Sequence, residues 1–216
     1  MSAQADELLR TMKITVGCRF NAAKRLQSRD KKLTLLTAIA TVCVITLTIL
    51  PYLLKLPTEM ADKLNALTVA FSITILASSL LQYSNGDAVL AEQHHRCALE
   101  INELRREFAV LAQNANDKDI LDFTYDYNGV LQKYSVNHDD IDHLKYQVDR
   151  PEDHDWLKGW GRAYAIARIW IRSVIFEIAI GATIIGMLWL IFLYVLPASG
   201  LGQKVAAIFS EIRVGW

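Results

Sequence analysis

Three long stretches without charged side chains decide which solvent this chain can fold in. The first, Leu33–Leu54, has 22 residues, and the second covers Leu64–Ser84. The third covers Val174–Leu196 and contains a single charge, Glu177. Because a helical residue rises about 1.5 Å, the 22 residues span roughly 33 Å, enough to cross the hydrocarbon core of a bilayer. We therefore expect lipid to solvate the chain, which restricts its function to conduction, transport, anchoring or signalling.

Basic residues flank these stretches unevenly, and their placement predicts an orientation. Residues 1–32 carry eight Lys and Arg against three Asp and Glu, and Arg162, Arg168 and Arg172 precede the third stretch. Lys and Arg next to a span favour the cytoplasmic side. Both clusters lie on that side if all three stretches cross, so we predict a cytoplasmic N-terminus and an external C-terminus. In the alternative, only two stretches cross and the third lies in the interface.

The residues between the stretches show helical periodicity rather than the alternation of a β-strand. The predicted fold class is an all-α membrane protein: a transmembrane helical hairpin plus a third C-terminal transmembrane helix, with a cytoplasmic helical domain between spans two and three. The predicted parts are a basic amphipathic N-terminal helix (1–32), the hairpin (33–84), the cytoplasmic domain (85–155), an interfacial amphipathic segment (156–173), the third span (174–196) and an external tail (197–216).

The cytoplasmic domain is predicted to contain several helices. After span two, either one rod continues through Asn85-Gly86, or Asp87 starts a new helix as its N-cap. Further helices are predicted over 118–134 and 137–148, and Pro151 ends helical structure.

Apolar residues of the first of these helices recur in steps of four and three, which defines a heptad seam. Its polar member, His94, is interpreted as a residue that sets register, with a pH sensor as the alternative. A small-residue pair in span three suits close helix packing. The seam and oligomer-interface candidates are Leu90, His94, Cys97, Ile101, Leu104, Phe108 and Leu111, together with Ala182 and Gly186.

Polar side chains follow one face of span two and form a candidate pore lining. In lipid, such a stripe either lines water or hydrogen-bonds a neighbouring helix. Because three spans cannot enclose a wide channel, a pore requires an oligomer. The same face continues to Glu100, Glu103 and Glu107, which form either a vestibule for cations or an ordinary solvated surface. The pore-lining candidates are Asn65, Thr68, Ser72, Ser79, Gln82 and, in the third span, Glu177.

Several chemistries lack a signature in the sequence. No phosphate-binding loop, dinucleotide-binding glycine pattern or nucleophile elbow is present, so we expect neither an enzyme nor a cofactor. The three cysteines lack a C-x-x-C pair, and Asp-rich helix starts such as 138–143 are ordinary caps, so no metal site is predicted. Residues 85–155 carry seven Lys and Arg against sixteen Asp and Glu, which would repel the phosphates of a nucleic acid.

Three segments of the chain together resemble a known family. Ala22-Ala23-Lys24-Arg25-Leu26 leads into the hairpin, and the helix after the hairpin carries ALEINELR at 98–105. The residues that complete the pattern are Tyr134, Asn137, His138 and Asp142. Over residues 8–150 this arrangement resembles the SLATT family, the two-transmembrane effector domain associated with bacterial SMODS and SLOG systems. The resemblance implies a pore-forming or membrane-disrupting effector of antiviral defence in the bacterial inner membrane, acting by abortive infection. It also implies a nucleotide-generating enzyme or a reverse transcriptase encoded nearby.

The polar stripe and the resemblance together lead to one expected function. The chain is expected to be an oligomeric pore-forming effector, held closed until a partner protein or a nucleotide product acts on the cytoplasmic helices. The alternative is a membrane anchor whose cytoplasmic coiled coil recruits or inhibits a soluble enzyme. The expected partners are membrane lipid and further copies of the chain, without direct binding of nucleic acid.

Overall fold

The regular structure of the chain is helical. The computed structural model describes residues 2–151, 154, 157 and 159–195, and these contain no β-strand. Three helical segments each contain a window long and apolar enough to cross a membrane. They are Ala3–Leu53, Thr58–Leu111, which includes a break at Gly86, and Trp160–Gly186. The prediction of an all-α membrane protein is therefore confirmed. The described helices are α1 (Ala3–Leu54), α2 (Thr58–Asn85), α3 (Asp87–Leu111), α4 (Asp117–Tyr134), α5 (Asp140–Val148) and α6 (Trp160–Val195).

α1 joins the basic N-terminal segment to the first charge-free stretch without interruption. It is 52 residues long, because neither Gly nor Pro separates the two parts of its sequence. Pro51 lies in its last turn, and the helix ends before Lys55, whose φ of 49° is left-handed. Pro57 immediately precedes α2, so residues 55–57 form a tight loop between the two helices of the hairpin.

A single residue interrupts the helix after span two. Gly86 has φ 59° and ψ 27°, a left-handed conformation that glycine adopts without a steric penalty. The continuous rod is therefore wrong. A new helix does start at Asp87, but its N-cap is Gly86 rather than Asp87. Asp87 is instead buried, and its carboxylate lies 3.0 Å from Nε of Arg29.

Two later helices begin with capping boxes. The predicted helix over 118–134 is confirmed as α4, where Asn116 and Asp119 cap each other's backbone N–H groups. α5 begins at Asp140, three residues later than 137, because Asp139 and Asp142 form the capping box there. Residues 156 and 158 of the predicted interfacial segment lie outside the described residues, as does the external tail.

The described residues divide into two compact units. Unit 1 comprises those up to Asp30 and from Gly86 to Val174; unit 2 comprises those from Lys31 to Asn85 and from Ile175 onward. The core of unit 1 is formed by apolar side chains of α1, α3 and α4, and α5 contributes Ile141 and Tyr146 to the buried residues. The principal core residues are Ala5, Leu8, Met12 and Val16 of α1, Cys97, Ile101 and Phe108 of α3, and Ile120, Tyr127 and Val130 of α4.

Unit 2 has a small core and a large exposed apolar surface. Ala40 and Leu47 of α1 pack with Leu64, Leu67 and Phe71 of α2. Other apolar side chains of these helices and of α6 are exposed, with Val42 63 %, Ile73 62 % and Ile178 62 % accessible. Such exposure in water would favour aggregation, whereas in a bilayer lipid chains cover these faces.

Candidate functional site

A cluster of charged and polar side chains, three of them buried, lies in unit 1 where α1 meets α3 and α5. We call this cluster the arginine network; it consists of Arg19, Arg25, His94, Asp139 and Asp142. Buried charges are stabilised only when they are paired and hydrogen-bonded, so the geometry of each contact matters.

The strongest contact in the network joins α1 to α5. Arg25 donates from Nε and Nη2 to the two carboxylate oxygens of Asp142, at 2.9 Å each. This is a bidentate pair, the geometry for which guanidinium and carboxylate are matched. The side chain of Asp142 is 3 % exposed and that of Arg25 is 32 % exposed. Arg25 Nη2 also lies 3.0 Å from Asp139, and Asn21 donates to the backbone carbonyl of Asp142 at 3.2 Å.

Arg19 joins the same helix to α3 and to the segment between α4 and α5. Arg19 is 5 % exposed, and its guanidinium donates to the carbonyl of Val136 and lies 3.3 Å from Nδ1 of His94. Because arginine has no acceptor, this contact requires an unprotonated Nδ1 on His94. Burial, and then the charge of Arg19, lower the pKa of His94 to about 4. The histidine is therefore neutral at physiological pH.

Three other residues of the family-like pattern, Tyr134, Asn137 and His138, differ in their contacts and burial. Tyr134 donates to Glu100 at 2.9 Å and so joins α4 to α3. The pKa of His138 is lowered, first by burial and then by Arg19, and its buried Nδ1 has no hydrogen-bond partner among the described residues. Asn137 is exposed. The contacts that hold Asp142 of α5 come from Asn21 and Arg25 of α1.

A close backbone contact accompanies the ion pairs between α1 and α5. A Cβ placed on Gly17 would lie 2.2 Å from the ring of Tyr146, which is 4 % exposed. The ring therefore packs directly on the backbone of α1, and any larger residue at position 17 displaces it. Sequence reasoning missed Gly17 and Arg19 as site residues and named Arg25 only as a member of the family-like pattern. One signal was present, because Arg19 follows Val16 by three residues and so lies on the face of α1 that carries the buried Leu8, Met12 and Val16.

The heptad seam lies inside unit 1. His94, Cys97, Ile101 and Phe108 are buried, while Leu90 and Leu104 are half-buried. Leu111 is 51 % exposed, and Ala112 takes the buried position at that end of α3. The seam residues pack on α1 and α4 of the same chain, so they offer little surface to a second copy.

The pore-lining candidates of α2 lie at its surface. Asn65, Ser72 and Ser79 are exposed, whereas Thr68 and Gln82 are half-buried. Thr68 and Ser72 donate to the carbonyls four residues earlier at 2.9 Å each, and Gln82 donates to Thr34 of α1 at 2.7 Å. The donors of Thr68, Ser72 and Gln82 are therefore satisfied within the chain, and these side chains can contact lipid without an unpaired donor.

The remaining candidates are the charged and small residues of the third span and the acidic residues of the predicted vestibule. Glu177 pairs with Lys32 of α1. Ala182 and Gly186 are exposed, and a Cβ on Gly186 would meet nothing within 4 Å. Glu100, which pairs with Lys133, lines a surface groove between α3 and α4 together with Glu103 and Glu107.

The composition of the arginine network is suited to holding helices together rather than to catalysis. It contains cations, carboxylates and a neutral imidazole, and the nearby thiols of Cys18 and Cys97 are 0 % exposed. No group of three or more His, Cys, Asp and Glu in the described ranges has the geometry of a metal site. What the geometry provides is a fixed arrangement of α5 on α1.

A family model matches most of the chain. The family model described as SMODS and SLOG-associating 2TM effector domain family 5 matches residues 1–195, a range that includes all three candidate spans. No curated protein and no solved structure matches the chain.

Proposed function

Since the chain belongs to the SMODS and SLOG-associating 2TM effector domain family 5, a family of membrane effectors in bacterial conflict systems, we propose that it forms an oligomeric pore. The pore, or a related disruption of the inner membrane, depolarises the host during phage infection. The N-terminus lies in the cytoplasm. A partner protein or a nucleotide product, supplied by an enzyme encoded nearby, acts on unit 1 to open it.

The observation that carries this proposal is the exposed polar face of α2. Asn65, Ser72 and Ser79 lie at seven-residue spacing on a side that the intramolecular core of unit 2 does not use. The Ser72 hydroxyl is satisfied by its own helix, yet its oxygen can still accept from water. The same face therefore tolerates lipid in an isolated chain and water in an assembly, as a gated pore requires.

The arginine network supports control of the pore from unit 1. α1 and α6 each contribute residues to both units, so a change in their packing in unit 1 acts on helices that continue into unit 2. Opening is then a population shift between two packings of unit 1, and a trigger acts by binding one of them more tightly.

A matched pair of substitutions tests the pore wall. Ser72→Leu and Ser79→Leu make the polar face apolar, and we expect them to abolish depolarisation while the protein still inserts. The control is Thr46→Leu on α1, which is also exposed and bonded to its own helix, at 2.8 Å. Membrane potential is followed with a fluorescent dye after induction. Normal depolarisation by both serine variants would remove α2 from the pore wall.

Dye leakage separates this function from a membrane anchor. Purified chain is reconstituted in vesicles loaded with a quenched dye, with and without the products of its genomic neighbours. A pore releases dye under at least one of these conditions, whereas an anchor releases none. The burial of the heptad seam favours the pore, because a buried seam leaves the coiled coil little surface with which to recruit a soluble enzyme.

A further inference from the structure

One side of α6 carries an exposed apolar stripe with a coiled-coil period. From Trp160 to Ile185 an apolar residue recurs in alternating steps of four and three, and we call this series the α6 stripe. Its large members are all at least 51 % exposed; they are Trp160, Tyr164, Ile171, Ile178 and Ile185. The positions between them hold Ala167, Val174 and Gly181. A stripe that repeats every 3.5 residues is the surface through which one helix packs against another.

The opposite side of α6 is attached to unit 1. Ala165 is 0 % exposed, and the guanidinium of Arg172 lies 3.5 Å from the carboxylate of Asp139. Because each helical residue turns by about 100°, Ala165 and Arg172 lie on the side of the helix away from the stripe. The α6 stripe therefore points away from unit 1.

Lipid cannot cover the first part of the stripe. Arg162, Arg168 and Arg172 lie beside it, and charged side chains are excluded from the hydrocarbon, which must therefore begin beyond Arg172. From Trp160 to Arg172 the helix rises about 18 Å, whereas the headgroup layer on one side of a bilayer is about 5–8 Å thick. A typical tilt of about 20° shortens the rise by only about 1 Å. Trp160 and Tyr164 consequently lie in water unless protein covers them.

From these observations we propose that the α6 stripe pairs with the same stripe of a second copy of the chain. Copies inserted into one membrane share an orientation, so their α6 helices run parallel and equivalent residues of the two stripes meet. The aromatic rings of Trp160 and Tyr164, which lipid leaves uncovered, are then buried between the copies.

The charges beside the stripe permit this pairing. In a parallel pair of helices, each residue just before one side of the seam faces the residue five positions later on the other copy. These facing pairs are Ala163 with Arg168, Trp170 with Ile175, and Glu177 with Ala182. None of the pairs brings like charges together, so repulsion does not oppose the contact.

This inference rests on the proposed function and deepens it, because it names the contact that assembles the oligomer. The stripe runs on through Ile178 and Ile185, within the third candidate span. A single helix therefore carries the contact from water into the membrane. It is a different surface from the polar face of α2, which is proposed to line the pore.

Disulfide cross-linking of the full chain in native membranes tests the pairing. Tyr164→Cys and Ile171→Cys place a thiol on the stripe, and Ile166→Cys and Ser173→Cys, two residues further along, place one at exposed positions beside it. The parent is Cys43→Ala, whose remaining thiols are buried and which gives the baseline. After oxidation with copper phenanthroline, we expect at least about fivefold more dimer at the two stripe positions than at the two controls. Equal yields on both faces, or no dimer on the stripe, overturn the proposal.

A pair of lysine variants tests the part of the stripe that lies outside the hydrocarbon. Dimer formation is followed at Ile178→Cys, in the span. We expect Y164K/I171K to reduce it to the baseline, and I166K/S173K, which adds the same charge beside the stripe, to leave it unchanged. Equal dimer formation in the two variants would show that the first part of the stripe does not pair.

Two further measurements separate this proposal from lipid contact and from the pore. A nitroxide on Tyr164→Cys that relaxes with lipid-dissolved oxygen, in a chain that does not cross-link there, assigns the stripe to lipid and overturns the pairing. Vesicle leakage is scored independently. A chain that cross-links along the stripe but never leaks keeps the pairing and loses the pore. A chain that leaks without cross-linking keeps the pore and loses this contact.

Discussion

Replacing Asp142 by asparagine removes the charge at the centre of the arginine network while keeping the shape of the side chain. Removing one partner from a buried ion pair costs about 3–5 kcal/mol. Arg25 is 32 % exposed and retains Asp139 at 3.0 Å, so water and a second carboxylate compensate part of the loss. We therefore take the lower end, about 3 kcal/mol, which corresponds to roughly a hundredfold rise in the population of the opened unit 1.

Thiol labelling measures this population directly. Cys18 and Cys97 are 0 % exposed in unit 1 and react with a maleimide only when the unit opens, while a Cys43→Ala background removes the third thiol. When closing is faster than labelling, the rate follows the opened population. Glu92→Gln is the control, because its pair with Arg96 is solvent-exposed and its loss should leave the labelling rate nearly unchanged. Labelling of Asp142→Asn within threefold of the wild type would refute the reasoning.

Three more predictions test other contacts. Because the folded-state pKa of His94 is lowered from 6.5 to about 4, its contribution to stability is complete above pH 6.5 and is lost as the pH falls toward 4. Denaturant titration should show a loss of about 3 kcal/mol near pH 4 that is absent in His94→Gln. Gly17→Ala places a Cβ against the ring of Tyr146 and should destabilise unit 1 by about 1–3 kcal/mol. Gly129→Ala, whose Cβ meets nothing within 4 Å, should instead stabilise it by about 0.5–1 kcal/mol. Thermal melts of both variants should therefore show melting temperatures shifted in opposite directions. Lys32→Glu and Glu177→Lys should each lower the melting temperature in detergent, and the double exchange should restore it. A double variant that melts no higher than the single variants would show that this ion pair does not stabilise the protein.

The sequence was sufficient for the spans and for most helices, because the absence of charge and the apolar period are local properties. It was insufficient where a partner lies far away in the chain. Arg25 and Asp142 both belong to the family-like pattern, but they are separated by 117 positions and the pattern does not indicate that they form a pair. The apolar period of α3 predicts that it has a packing face, but it does not say what packs there. In unit 1, Cys97, Ile101 and Phe108 of that face share a core with α1 and α4. The sequence predicts that Tyr146 lies in a helix, but the packing of its ring on Gly17 depends on how α5 docks on α1.

The carboxylate of Asp142 takes part in both the capping box of α5 and the ion pair with α1. Asp142 accepts from the backbone N–H of Asp139 at 3.1 Å and from the guanidinium of Arg25. α5 has only nine residues, and peptides of this length do not hold a helix alone in water. Formation of this helix and its attachment to α1 are therefore one thermodynamic event, so release would melt the segment instead of swinging it away intact. Each freed residue regains about 1–2 kcal/mol of backbone entropy at room temperature, so warming favours the released state.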